Sequence, residues 1–262
     1  MFSIKHLGNE RKCEDLIAQT VFGNKISCPV CRSRLLRREK YYWCGSCRKK
    51  IRLRSFIRFP RSKLKYKDIL ILILAWQKNI HPGAIKHLRG ISYTTINRWY
   101  SRFRTLLPRD SILLNGEIEV DEAFFGRQKY HNQKIVIGGV ERITRRLKLQ
   151  EIPDREQDSL ELFLTRNVST ESKLHTDCLA GYYDLFWNGY GHEMHNHSLG
   201  HFRGTNNIEN VWSVTKRRIR RMYGQIKTNK IEEFIVEWEA RHNFPELFQN
   251  PLTYLKGVLV PY

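Results

Sequence analysis

Four cysteines fall as Cys28-Pro-Val-Cys31 and Cys44-Gly-Ser-Cys47, two Cys-x-x-Cys turns with 12 residues between them. Two such turns at this separation can close one tetrahedral thiolate site around a structural Zn2+. The intervening segment is poor in apolar residues, so the ion would supply much of its folding free energy. Cys13 and Cys178 lack this spacing and read as ordinary buried or free thiols. A second set of reactive residues lies further along, in Asp121, Asp177 and Glu209. Three acids brought together without basic partners repel one another unless cations neutralise them. Two hard divalent ions roughly 3.5–4 Å apart would do so, and such a pair is what phosphodiester chemistry requires.

These acids need a scaffold that brings distant segments together, since 56 and 32 positions separate them. Glu117 to Phe125 alternates as a strand, with Ile118 and Val120 on one side, Glu119, Asp121 and Ala123 on the other, and Gly126 closing it. Lys134 to Glu141 and Arg146 to Ile152 supply two more strands, followed by a helix from Gln157 to Thr165. A fourth strand runs from Ser172 to Thr176 and ends at Asp177, and Gly191 to His197 gives a fifth. Asn206 or Asn207 is expected to cap a helix through Arg221, and a last helix covers Lys230 to Arg241. This is the ribonuclease-H-like order. It sets the first and fourth strands side by side and leans Glu209 over Asp121 and Asp177. Glu119 and Glu122 flank Asp121 and would replace it if the strand register were shifted.

The first 110 residues have a different character. The chain has 262 residues, 41% hydrophobic and 27% charged, with 46 Lys and Arg against 26 Asp and Glu. Up to Asp110 there are 26 basic and 6 acidic residues, and after it 20 of each, so the whole excess of +20 is N-terminal. Charge confined in this way reads as the footprint of a polyanion. Around the cysteines, Arg34, Arg37, Arg38, Lys49 and Lys50 are candidate phosphate contacts. A helix from Ser62 to Trp76, a short one from Ala84 to Leu88 ending at Gly90, and a third capped by Ser92 or Thr94 form a helix-turn-helix pattern. Asn97, Arg98 and Arg102 on the third helix suit base or phosphate contacts in a major groove. In the later long helix, Lys216, Arg217 and Arg220 are candidates to follow DNA away from the acids. Trp212 reads as core packing. His192, His195 and His201 read as surface or DNA-facing, and His197 as support for the acids. No apolar run approaches the ~20 residues of a membrane span, and the first residues lack a secretory signal, so neither a membrane nor export is expected.

Several ordered blocks resemble the Merlin-type DDE transposases and the related bacterial insertion-sequence transposases with an N-terminal zinc ribbon. The blocks are Val120-Asp121-Glu122-Ala123-Phe124-Phe125-Gly126, Val136 to Arg142, and His175-Thr176-Asp177 through Gly181-Tyr182. Then come His197-Ser198, Thr205-Asn206-Asn207-Ile208-Glu209-Asn210-Val211-Trp212-Ser213 with Lys216-Arg217, and Ile231 through Asn243. A His often precedes the Thr-Asn of the third acid's block, where Arg203-Gly204 stands here, and Arg32 follows the first cysteine turn where Gly is common.

The resemblance implies an α/β ribonuclease-H-like catalytic core preceded by a zinc ribbon and a helix-turn-helix-like segment. The segments would be 1–60 with the ribbon at about 26–52, 61–110 for DNA binding, 111–243 for catalysis, and a tail at 244–262. It implies that Asp121, Asp177 and Glu209 hold two Mg2+ or Mn2+ ions and catalyse hydrolysis at element ends, then strand transfer into double-stranded target DNA. Pairing two ends implies a homodimer or higher oligomer. The compartment would be the cytoplasm and nucleoid of a prokaryote or the nucleus of a eukaryote. Two other functions use the same features: a catalytically inactive or domesticated DNA-binding protein, and a structure-selective DNA nuclease.

Overall fold

The computed structural model describes residues 7–23, 26–39, 41–55, 63–127, 132–177, 189–195 and 204–259. The chain divides into two compact units, Met1–Leu106 with Glu246–Tyr262, and Leu107–Pro245. Among the described residues, no helix is long and apolar enough to cross a membrane.

The first unit opens with α1 (Glu10–Phe22), whose N-terminus is capped by Asn9 and which buries Cys13, Ile17 and Ala18. The cysteine segment folds as a three-stranded antiparallel sheet of β1 (Leu35–Arg37), β2 (Tyr42–Cys44) and β3 (Lys50–Ile51). Helix α2 (Tyr66–Gln77) begins at Tyr66 rather than at Ser62, which lies outside the described residues. Its own N-cap, Lys65, offers no side-chain bond. Instead the carboxylate of Glu10, far away in sequence, accepts the N–H groups of Tyr66 and Lys67 at 2.6 and 3.0 Å. An anion at that place also complements the helix dipole.

Helix α3 (Pro82–Arg89) starts two residues earlier than expected, because proline's missing N–H costs nothing in a first helical turn. Gly90, at φ 66, ends it, and Ser92 caps α4 (Tyr93–Thr105). Ile96, Trp99, Tyr100 and Phe103 form the buried side of α4. Residues 244–262, read above as a tail, contain a short turn and α8 (Pro251–Leu259). This helix completes the core of its unit. Tyr254 donates to the Phe103 carbonyl at 2.9 Å, Gln77 donates to the carbonyls of Leu247 and Asn250, and the Trp76 ring meets Phe103, Phe248 and Tyr254.

The second unit is built on a five-stranded sheet in the order β6-β5-β4-β7-β8, of ribonuclease-H-like topology. Its strands are β4 (Glu117–Arg127), β5 (Asn132–Glu141), β6 (Leu147–Ile152), β7 (Lys173–Asp177) and β8 (Gly191–His195). The first three form an antiparallel meander, and β7 joins β4 in parallel. Strand β4 continues through Gly126, at φ 107, to Arg127 instead of stopping at the glycine. Alternation along β4 sends Ile118 and Val120 to a core shared with Leu160, Phe163 and Leu164 of α5 (Gln157–Asn167). Ala123 and Phe125 go to the opposite core, under α6 (Asn206–Tyr223) and α7 (Ile231–Asn243).

Neither Asn206 nor Asn207 caps α6. The cap comes from the sheet. Glu119, 1% exposed, accepts the N–H groups of Asn207 and Ile208 at 2.7 and 3.2 Å and the Asn207 side-chain amide at 2.8 Å. Arg142 adds a bond to the same carboxylate at 3.1 Å, and also reaches Glu117 and the Gly204 carbonyl. Hydrogen bonds to a charged group contribute about 1.5–3 kcal/mol each, and a buried charge that loses its counterpart is costly. Glu119→Gln is therefore expected to destabilise the chain by about 2–4 kcal/mol in denaturant unfolding. Glu232→Gln, an exposed control on α7, is expected to change little.

Candidate active site

Strand pairing brings the first two acids together. In the parallel β4–β7 register, Glu119 lies opposite His175. The pairing ends there, and Asp121 and Asp177 each lie two residues further along their strands; the carboxylates of Asp121, Asp177 and Glu209 do not all lie within 4.8 Å of one another. The 56-residue separation of these acids is thus the offset of the register itself. Helix α6 then brings in Glu209, which sits in its first turn and accepts a hydrogen bond from Thr205 at 2.9 Å. The two alternatives to Asp121 are engaged elsewhere. Glu119 caps α6, and Glu122 points to the other side of β4 and pairs with Arg155 at 3.4 Å.

Asp121 is held by a residue read above only as core. The Trp212 indole N–H donates to its Oδ2 at 3.1 Å. The ring can lie there because Asp121 pairs with Gly138 on β5, and a Cβ at position 138 would stand 2.9 Å from the Trp212 ring. A buried tryptophan generally needs a partner for its N–H, and its place one turn beyond Glu209 was the available signal. The Asp121 carboxyl is pushed up to about 6, chiefly by burial and further by the charges of Asp177 and Glu209. Three acids from three elements therefore share one electrostatic environment.

Among the described residues, two groups of donor atoms close to within 4.8 Å of one another. One is Cys28, Cys31, Cys44 and Cys47, with Sγ–Sγ distances of 3.7 Å for Cys28–Cys47 and 3.4 Å for Cys31–Cys44. The other is His175, Glu193 and His195. His192 and His195 are thus turned inward instead of facing outward. Both faces of β8 find partners on β7, with His192 Nε2 at 2.8 Å from Thr176 Oγ1 and His195 Nε2 at 3.0 Å from His175 Nδ1. His197, His201, Cys178, Gly181, Tyr182 and Arg203 lie outside the described residues.

The basic candidates fall in different settings. Arg34, Arg38, Lys49, Lys50, Arg98, Arg102, Lys216, Arg217 and Arg220 are exposed, and Asn97 is half-buried. Lys50 lies over the Tyr41 ring and Lys216 over the Phe125 ring. Arg37 is committed to its own unit, where it pairs with Glu14 at 2.8 Å and with Asp15 and donates to the Tyr42 hydroxyl.

The sequence profile of the ISXO2-like transposase domain matches residues 113–243, half of the chain and the whole of this three-acid sheet and helix set. The chain belongs to the ISXO2-like transposase domain family. No curated protein matches it. Among solved structures it is similar to the HTLV-2 integrase catalytic core domain in complex with magnesium, in its trimeric form, at 10% identity and a TM-score of 0.34. That match covers 50% of this chain and 87% of the other. It is also similar to the simian T-cell lymphotropic virus intasome in complex with the PP2A regulatory subunit B56 gamma. There the identity is 12% and the TM-score 0.36, with 66% of this chain and 68% of the other covered.

The raised Asp121 carboxyl gives the ISXO2-like domain a pH signature. Folded, Asp121 holds its proton up to about pH 6, whereas unfolded it holds it only to the ordinary value of 3.8. Protonation therefore favours folding, and that contribution is lost as pH rises from the lower value through the higher one. Relative to its parent, Asp121→Asn is expected to gain in Tm between about pH 4 and pH 7.5 in chelator. A difference in Tm that stays flat across this range would mean that Asp121 titrates normally.

Proposed function

We propose that the chain is a DNA transposase that binds the terminal inverted repeats of its own element and catalyses hydrolysis and strand transfer of DNA phosphodiesters. What supports this reading is the ISXO2-like transposase domain itself, together with the charges of Asp177 on β7 and Glu209 on α6 acting on the buried Asp121 of β4. Their donors are all carboxylate oxygens, which suit Mg2+ or Mn2+; burial first, and then the charges of Asp177 and Glu209, raise the proton affinity of Asp121, and cations would relieve both. Two such ions would activate water or a 3′-hydroxyl and stabilise the departing oxygen.

The chain's own residues set the geometry. Trp212 fixes the Asp121 carboxylate, Thr205 fixes that of Glu209, and β4 and β7 pair in parallel up to Glu119 and His175, two residues before Asp121 and Asp177. Lys216 and Arg220 follow Glu209 at helical spacing, about 10–16 Å along α6, and with Arg217 would carry the phosphates of a duplex leaving the site. The four cysteines fit a structural Zn2+, since a tetrahedral ion with ~2.3 Å bonds to sulfur sets its ligands about 3.8 Å apart. Helices α3 and α4, joined at Gly90, serve as a helix-turn-helix with α4 as the reading helix and Arg98, Arg102 and Asn97 at its outer side. Arg34, Arg38, Lys49 and Lys50 add phosphate contacts from the ribbon. Two protomers at least would pair the two ends.

The test uses purified protein with the DNA flanking its own gene, in Mg2+ or Mn2+, mapping 3′ ends at nucleotide resolution. Discrete cuts at a pair of inverted repeats are expected, lowered at least about a thousandfold in Asp177→Asn while end binding persists. Binding without cutting by the folded parent would instead establish an inactive DNA-binding protein. Cutting of branched DNA regardless of sequence would establish a structure-selective nuclease. In binding titrations over a range of salt, Arg98→Ala and Arg102→Ala are each expected to weaken end binding. A variant that removes a phosphate contact would lower the salt slope by about one, and one that removes a base contact would relax sequence preference.

A further inference from the structure

The second donor cluster lies beside the three acids but is chemically unlike them. His175 stands on β7 two residues before Asp177, and Glu193 and His195 alternate on β8, with His175 opposite Glu193 and Asp177 opposite His195. Their donor atoms face one another: His175 Nδ1 and His195 Nε2 at 3.0 Å, Glu193 Oε2 and His175 Nδ1 at 3.8 Å, and Glu193 Oε1 and His195 Nε2 at 3.7 Å. A tetrahedral ion with bonds of ~2.0–2.2 Å to nitrogen and oxygen holds its ligands about 3.4 Å apart. The ring nitrogens at 3.0 Å and Glu193 Oε1 at 3.7 Å from His195 Nε2 lie on either side of that value, and one donor atom from each residue stays within 4.8 Å of the other two.

Three features around the cluster point the same way. Behind His175, its buried Nε2 has no hydrogen bond but faces Glu117 Oε2 at 3.4 Å. A carboxylate behind the distal nitrogen is the usual support of a metal-bound imidazole. On the other ring, a Cβ at position 204 would fall 1.9 Å from His195 Cγ, so Gly204 is what leaves room for this placement. The surrounding charge also suits a cation. Glu117, Glu119, Asp177 and Glu193 stand against Arg142 and Lys173, and Lys173 takes only one oxygen of Glu193, at 2.6 Å.

We propose that His175, Glu193 and His195 form a cation site for a borderline transition metal such as Zn2+, separate from the four cysteines and from the three acids. Two imidazoles and one carboxylate favour such an ion, whereas the all-oxygen set of Asp121, Asp177 and Glu209 favours Mg2+ or Mn2+. Glu193 is half exposed, which gives the ion a path in and leaves its fourth position to water. The site ties β8, an edge strand, to β7 at the level of Asp177.

The test measures Zn2+ bound per chain on full-length protein without DNA, in a large excess of Mg2+ so that the hard-ion site is not open to zinc. Two tightly held Zn2+ per parent chain are expected, and one in His195→Ala and in Glu193→Gln. Glu117→Gln is expected to keep the second ion with about 10–100-fold weaker affinity. With Co2+ in place of Zn2+, the charge-transfer band and the strong visible bands of the four-cysteine site should persist in every variant, while the weaker visible absorption of the second ion is lost in His195→Ala and Glu193→Gln. One ion per parent chain, or two in both ligand variants, overturns the site. Should His195→Ala fail to fold by circular dichroism, Glu193→Gln decides, since its side chain is half exposed. Metal counting needs no DNA cleavage, so this inference and the transposase reading stand or fall separately.

Discussion

The geometry of the second unit depends on one contact, the Glu119 carboxylate against the first turn of α6. A helix that must carry an acid over a sheet needs its N-terminus held at a fixed place, and α6 has no local cap to do this, since Thr205 makes no capping bond. Glu119 supplies the anion from β4, two residues before Asp121 on the same strand face. Because Glu209 lies in the helix turn that Glu119 grips, one contact sets its place relative to Glu119 and Asp121 on β4. The two carboxylates then diverge chemically. Glu119 is surrounded by four donors, whereas Asp121 has Trp212 and the charges of two further acids. Neighbouring acids of one strand are thus driven to different roles by their surroundings, which is the general route to functional carboxylates.

Gly138 shows how packing serves this arrangement. Any side chain there would displace the Trp212 ring, and with it the donor to Asp121. The second core, formed by Ala123, Phe125, Val136, Trp212 and Trp238, is therefore continuous with the acid site instead of merely lying beneath it. A close-packed interior transmits such a displacement with little relief.

What the sequence made legible was periodic or spaced. Strand alternation around Asp121, the apolar spacing of α4, the cysteine turns and the order of five strands could all be read, because each is a local pattern. The caps could not. Glu10 starts α2 and Glu119 starts α6, and both are contacts between residues more than fifty positions apart. Helix α1 carries no reactive motif to draw notice, and α8 follows the last family block; each is fixed by packing within its own unit. The inward turn of His192 and His195 escaped because an edge strand with polar residues on both faces looks solvated in sequence. Here both faces meet polar partners on β7.

The charge pattern takes on a sharper meaning once the ion pairs are known. In the first unit, four of the few acids are already occupied: Glu10 caps α2, Glu14 and Asp15 hold Arg37, and Asp68 holds Arg89. On the proposed function, the positive excess that remains is what a polyanion meets, with strong salt dependence. In the second unit, basic residues are matched to acids in pairs such as Arg146–Asp110, Lys134–Glu151 and Arg241–Glu237, while the charges of Asp177 and Glu209 act on the buried Asp121. A phosphate approaching these three would meet repulsion in a partly buried setting where screening is weak. On the proposed function, divalent ions are then required twice over: to perform the chemistry, and to let a phosphate backbone approach the three acids.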